Sequence, residues 1–242
     1  MPDTLKIRAP HVKMIAHRGL SGLEKENSAA AFVAAGNRPY FGIETDVHRT
    51  ADGQFIIIHD ESTKRVCGDE MIVEESRFDT LRRLQLQDVY GGYSRADLVL
   101  PSLREYVDIC HHYDKVSVLE LKNHFATDDI RKIVDIVAAG GQLEHTVFIS
   151  FDLPNMIALR ELLPGQPLQF LTDEYNHEIL ETLLRHHLDL DVHRKAVTRE
   201  MVEELHSHGV KLNCWTVNDP EEGERLAEYG VDFITSNILE KE

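Results

Sequence analysis

His17 and His59 each follow a short apolar run, in His17-Arg18-Gly19 and in His59-Asp60. Imidazoles that titrate near neutrality suit a general acid and a general base. Glu44 and Asp46 lie in one further apolar run, and Glu120 and Lys122 close another. Residues two apart on a strand point to the same side, so the members of each pair face the same space. Three carboxylates together in a dry site need a cation. Oxygen donors alone point to a hard divalent ion, Mg²⁺ or Ca²⁺. Arg18 and Lys122 beside such an ion point to an anionic substrate, most simply a phosphate. The set reads as metal-assisted phosphoryl transfer. Glu26 lies close by and is read as orienting its neighbours rather than binding metal. Asn27 is read as a helix cap, Trp215 as a wall of the substrate pocket or a rim aromatic, and Asp191 and His193 carry no assignment.

These residues need a scaffold that brings strand ends to one opening. Eight short apolar runs recur along the chain: Met14–Ala16, Phe41–Val47, Val116–Leu121, Thr146–Ser150, Leu168–Leu171, Leu188–Val192, Lys211–Cys214 and Val231–Thr235. They read as strands buried on both faces, the mark of a parallel sheet. Seven amphipathic stretches separate them. Asn27-Ser28 precedes Ala29–Ala35, and Ser102-Leu103-Arg104-Glu105 is a capping box. Thr127-Asp128-Asp129 and Asp219-Pro220-Glu221-Glu222 open two more helices with acid in the first turn. The alternation predicts an α/β fold, a (β/α)8 TIM barrel, with an open doubly wound sheet as the alternative. Barrels of this kind place their chemistry at the C-terminal ends of the strands, where the residues above fall. Thr50–Gly53 is a turn, so Val47–Arg49 and Phe55–Ile58 are expected to form a hairpin. Residues 61–100 are too long for a plain connection and are expected to form a small inserted cap after strand 2, with a short helix near Asp79–Leu84. Few residues follow Thr235, so the last helix is expected to be curtailed or missing.

The chain has 242 residues, 42% hydrophobic and 28% charged, enough for a large core. Residues 1–242 are expected to form a single barrel domain, since such barrels run to about 250 residues. Lys and Arg number 26 against 42 Asp and Glu, a formal net charge of −16. Such a chain is repelled by nucleic acid and by anionic membranes, so a small molecule is the expected partner. No apolar run approaches the roughly 20 residues of a membrane helix. The first residues carry no apolar stretch or cleavage site of a signal peptide. Cys67, Cys110 and Cys214 form neither a disulfide framework nor a zinc site, which favours the cytoplasm.

In order along the chain, these motifs resemble the glycerophosphodiester phosphodiesterase family. His17-Arg18-Gly19, then six residues, then Glu26-Asn27-Ser28 resembles its opening signature. Gly42-Ile43-Glu44-Thr45-Asp46-Val47, through Thr50, Asp52-Gly53 and His59-Asp60, resembles its longest motif. Pro101-Ser102-Leu103 with Glu105, Leu119-Glu120-Leu121-Lys122, Ser150-Phe151 and Trp215-Thr216-Val217-Asn218 match later blocks. The resemblance spans Ile15 to Thr235. Lys25 and Ser28 replace the usual Pro and Thr. Thr235-Ser236-Asn237-Ile238 stands where Thr-Asp-x-Pro is usual.

The resemblance implies a barrel with a cap between strand 2 and helix 2, and a divalent metal on Glu44, Asp46 and Glu120. It implies His17 and His59 as the acid–base pair and Arg18 and Lys122 on the phosphate. The implied activity is hydrolysis of glycerophosphodiesters to sn-glycerol 3-phosphate and an alcohol, through attack by the neighbouring glycerol hydroxyl. The polar groups point at the glycerol phosphate half, so the alcohol is expected to be loosely selected. Two other readings are a barrel phospholipase of the phosphatidylinositol or sphingomyelin type and a non-catalytic phosphodiester-binding protein. The first would need an apolar or basic docking surface, and the second would be expected to lack a histidine or a metal ligand.

Overall fold

The computed structural model describes residues 3–242. In chain order its strands are β1 (Leu5–Ile7), β2 (Lys13–Ala16), β3 (Gly42–Arg49), β4 (Phe55–Ile57), β5 (Val116–Leu121) and β6 (Thr146–Ser150). They continue as β7 (Leu168–Thr172), β8 (Asp189–His193), β9 (Leu212–Trp215), β10 (Phe233–Ser236) and β11 (Leu239–Lys241). The α-helices are α1 (Ala29–Gly36), α2 (Lys64–Cys67), α3 (Phe78–Leu81), α4 (Leu103–His112) and α5 (Thr127–Ala139). After them come α6 (Leu153–Leu162), α7 (His177–His186), α8 (Arg199–Ser207) and α9 (Pro220–Tyr229).

Eight strands, β2, β3 and β5 to β10, pair in parallel and close into a barrel. The seam is made by β10 on β2, from Phe233 opposite Lys13 to Ser236 opposite Ala16. Loss of the usual Asp and Pro after β10 therefore leaves closure intact. Side chains alternate along each strand. Ile15, Val118, Val147, Ile149, Leu171 and Phe233 form one apolar cluster inside the barrel. Ile43, Leu119, Phe148, Leu190, Leu212 and Ile234 pack outward under the helices in the main core. Each fully buried side chain of this kind stabilises the fold by about 1.5–3 kcal/mol.

The helices start where their caps lie. Ser28 accepts from Ala31 N at the start of α1. Both reciprocal bonds of the Ser102–Glu105 box are made at α4. α5 opens at Thr127 with Asp128 and Asp129 in its first turn, as expected, although its N-cap, Ala126, offers no side-chain bond. Phe32 of α1 meets Tyr106 of α4 edge to face at 5.1 Å. Tyr106 Oη then donates to the Ile43 carbonyl at 2.7 Å, fixing both helices against the strand that bears Glu44 and Asp46.

Three features differ from the sequence reading or refine it. The hairpin forms, with Val47 opposite Ile57 and Arg49 opposite Phe55. In place of a curtailed eighth helix, β11 follows β10 and pairs in parallel with β1, Leu239 opposite Leu5. Buried Glu240 takes bonds from Thr4 Oγ1 at 2.8 Å and Arg38 Nη1 at 3.2 Å, so a polar clasp holds this end in place of a helix. The insertion 61–100 carries α2 and α3 and has its own apolar cluster, with Val66, Val73, Leu81, Leu86 and Leu98 packed on Ile56 and Ile58.

Candidate active site

The C-terminal ends of the barrel strands enclose a cavity of about 260 Å³. One wall carries His17, Arg18, Glu44, His59, Glu120 and Lys122, and the other Ile149, Phe151, Leu171, Asp191, Trp215 and Thr235. No residue of the insertion lines it. The expected cap therefore braces the site from the side, because its apolar residues face β4 and not the opening.

β3 and β5 position the carboxylates. Glu44, Asp46 and Glu120 each offer an oxygen within 4.8 Å of the others, and all three are buried. Glu44 Oε2 accepts from Arg18 N at 2.7 Å. That turn needs Gly19 at φ +74°, where a Cβ would come within 2.6 Å of the Ala31 backbone. Lys122 Nζ lies 2.8 Å from Glu120 Oε1 and 3.5 Å from Asp46 Oδ1. Asp46 Oδ1 is buried and accepts no hydrogen bond.

The electrostatics of this trio call for a cation. Burial pushes Glu44 well up, and the charges of Asp46 and Glu120 push further. Burial and then Asp46 raise Glu120 to about 7 despite Lys122. Asp46 is held low: burial opposes ionisation, and Lys122, Arg18 and His59 outweigh it. Unaided, the three cannot all ionise comfortably at neutral pH. Three oxygen donors, one of them orphaned, fit a hard divalent ion.

Each histidine is anchored through Nδ1. His17 Nδ1 lies 2.6 Å from Asn237 Oδ1, and His59 Nδ1 lies 2.7 Å from Asp60 Oδ1. A neutral ring that donates from Nδ1 keeps Nε2 as an acceptor. His17 Nε2 sits 4.0 Å from Glu44 Oε2. Burial, then the charge of Arg18, lowers His17 to about 4, so it is neutral at pH 7. Burial also lowers His59, partly offset by Asp46.

Neither anchor was assigned from sequence. Asp60 gave a signal by following His59 directly. Asn237 gave none, because it lies 220 residues from His17. Glu26 keeps its orienting place: Arg18 Nη1 donates to it at 2.9 Å, and Arg65 of α2 bonds it at 2.6 and 2.8 Å. Arg65 also reaches Asp60 at 2.6 and 3.0 Å. Asn27 is no cap. At φ 53° it turns away from α1, donates to Asp46 Oδ2 at 2.7 Å and accepts from Thr45. Trp215 lines the cavity and meets Phe151 and His193 edge to face, at 5.6 and 5.2 Å.

A second cavity, of about 370 Å³, opens at the other end of the barrel beside Arg160. That guanidinium is taken up by the carbonyls of Pro164, Gln166 and His187 and serves as a clasp. Among the described residues, no helix is long and apolar enough to cross a membrane.

Comparison with known proteins agrees with this geometry. The profile of the glycerophosphoryl diester phosphodiesterase family matches residues 17–241. A glycerophosphodiester phosphodiesterase of Bacillus altitudinis is 27% identical over 235 residues, covering 95% of this chain and 96% of that protein. One from Caldanaerobacter subterraneus subsp. tengcongensis is 27% identical, covering 93% of each. Among solved structures, a phosphodiesterase of Oleispira antarctica in complex with its product sn-glycerol-3-phosphate superposes with a TM-score of 0.83 at 22% identity. It covers 93% of both chains.

Proposed function

The chain belongs to the glycerophosphoryl diester phosphodiesterase family and hydrolyses glycerophosphodiesters, and from this we propose the roles of its site residues. Glu44, Asp46 and Glu120 hold one divalent ion, Mg²⁺ or Ca²⁺, and Arg18 and Lys122 receive the phosphate. The product is sn-glycerol 3-phosphate, the ligand named for the Oleispira antarctica relative. The observation that carries the reading is the meeting of three buried carboxylates and two Nδ1-anchored histidines at one cavity. A non-catalytic binder has no need of that pair.

The ion would offset phosphate charge and lower the pKa of an attacking hydroxyl. The residues do the rest. One histidine takes the proton of the neighbouring glycerol hydroxyl as its oxygen bonds to phosphorus. The other, entering as the imidazolium, delivers its Nε2 proton to the departing alcohol oxygen. Water then opens the cyclic phosphate with the roles exchanged, leaving glycerol phosphate. Anchored Nδ1 atoms keep each Nε2 free for this traffic, and Arg18 and Lys122 orient the phosphate between them. Trp215 walls the substrate pocket. Three free, buried thiols support a cytoplasmic setting.

The test is a panel of glycerophosphocholine, glycerophosphoethanolamine and glycerophosphoglycerol, each with Mg²⁺ or Ca²⁺, read as released sn-glycerol 3-phosphate. Release from all three, with rates within about tenfold, is expected. Metal-independent release, or glycerol plus a phosphorylated alcohol as products, overturns the reading.

A further inference from the structure

The wall across from the metal trio carries a buried carboxyl without an assigned task. Asp191 lies inside the barrel on β8, opposite Asn213 of β9, and is 2% exposed. It borders the cavity, and its Oδ1 has no hydrogen-bond partner. Trp215 borders the same cavity, and its indole Nε1 is likewise buried and unpartnered. An orphaned buried polar atom is costly, on the order of 1–3 kcal/mol when nothing pairs with it, so a pair of them beside one cavity marks a place kept for a ligand.

The chemistry of the two groups narrows that ligand. An indole N–H only donates, and a carboxyl oxygen can accept. A hydroxyl can serve both, whereas an ammonium can only donate. Burial, then the nearby Glu120, pushes Asp191 well up, which also disfavours it as a partner for a cationic head group. The enclosure argues the same way. Asp191, Leu171, Ile149 and Thr235 are all nearly inaccessible, whereas Phe151 at the rim is 42% exposed. The closed wall suits the arm of the diester that never varies, and the varying alcohol leaves past the rim.

Building on the function proposed above, we infer that Asp191 binds the terminal hydroxyl of the substrate's glycerol arm and sets specificity for it. The hydroxyl vicinal to the phosphate must stay beside His17, His59 and the carboxylate trio, so the terminal one is left for the opposite wall. An acyl chain on that hydroxyl would meet Asp191, Leu171 and Ile149, which makes deacylated diesters the substrate class.

The experiment is a cycle of two ligands and three proteins, in the presence of Mg²⁺ or Ca²⁺. The ligands are sn-glycerol 3-phosphate and its analogue without the terminal hydroxyl, propane-1,2-diol phosphate. Wild type, Asp191→Asn and Asp191→Ala are compared by calorimetry. Removing the hydroxyl should weaken binding to wild type about tenfold or more, and binding to Asp191→Ala less than about twofold, with Asp191→Asn between them. A merely structural role would weaken both ligands alike. Equal discrimination by wild type and Asp191→Ala overturns the assignment, and so does tight binding of lysophosphatidylcholine to wild type. Because the readout is binding, absence of turnover would sink the proposed reaction and still leave Asp191 judged on its own.

Discussion

Replacing Arg65 by Met tests whether the insertion holds His59 in place. The Met side chain keeps an apolar stem and removes the guanidinium. Four bonds of 2.6–3.0 Å to Glu26 and Asp60 are lost. Charge-assisted bonds contribute about 1.5–3 kcal/mol each when buried, and exposed pairs usually under about 1 kcal/mol. Arg65 is 46% exposed, so about 2 kcal/mol for the whole clamp is the reasoned loss at pH 7. Burial alone would raise Glu26 and Asp60, yet hydrogen bonds from Arg65 help hold both at about 2. Their unfolded values lie near 4. The contribution is therefore complete above that pH and is lost as pH falls through about 2. The gap between wild type and Arg65→Met in urea unfolding should be full at pH 7 and shrink below pH 4. With Asp60 loosened behind His59, kcat should fall about tenfold, a fraction of what a general acid or base supplies. An unchanged urea midpoint at pH 7, or a gap that widens in acid, refutes the reasoning.

Three further outcomes follow from the site. His17→Ala and His59→Ala should each lose about 10²-fold or more in kcat while keeping the wild-type circular dichroism; a folded variant with over a tenth of wild-type activity removes that histidine from the chemistry. Glu44 and Glu120, pushed above their unfolded values, favour the folded apoprotein most below about pH 4, and this advantage fades as pH rises through about 7. The gain in thermal midpoint from Mg²⁺ or Ca²⁺ should therefore grow from pH 5 to pH 8, and a gain that shrinks would contradict the metal trio. Asn237→Leu, which frees His17 Nδ1, should lower kcat about tenfold with KM little changed; a rise in KM alone would show that Asn237 serves binding.

The barrel was legible because its strands are apolar runs with few competing readings, and its helices announce themselves by Ser28, Ser102 and Asp219. β1 and β11 were not, since Leu-Lys-Ile and Leu-Glu-Lys have no pattern of their own and gain strand character only from each other. The charged site residues stood out because a carboxylate or histidine inside an apolar run is expensive without a purpose. Their supports were harder to see. Asn27 reads as a cap beside Ser28 until its positive φ turns it to Asp46. Asp191 is one of two acids within Leu188–Val192 in sequence, and only the closed barrel shows which of them borders the cavity.

The contact between His17 and Asn237 has a consequence for how the protein is made. The first strand of the barrel waits for its second neighbour until Phe233–Ser236 exists, and His17 waits for its partner as long. A growing chain on the ribosome thus carries seven barrel strands with an unsealed edge and an unfinished site. Contacts of such long sequence separation form slowly, and open strand edges invite wrong pairing in the interval. Activity should arrive only once β10 has been made, and polypeptides stopped before Phe233 should depend on chaperones and hydrolyse nothing.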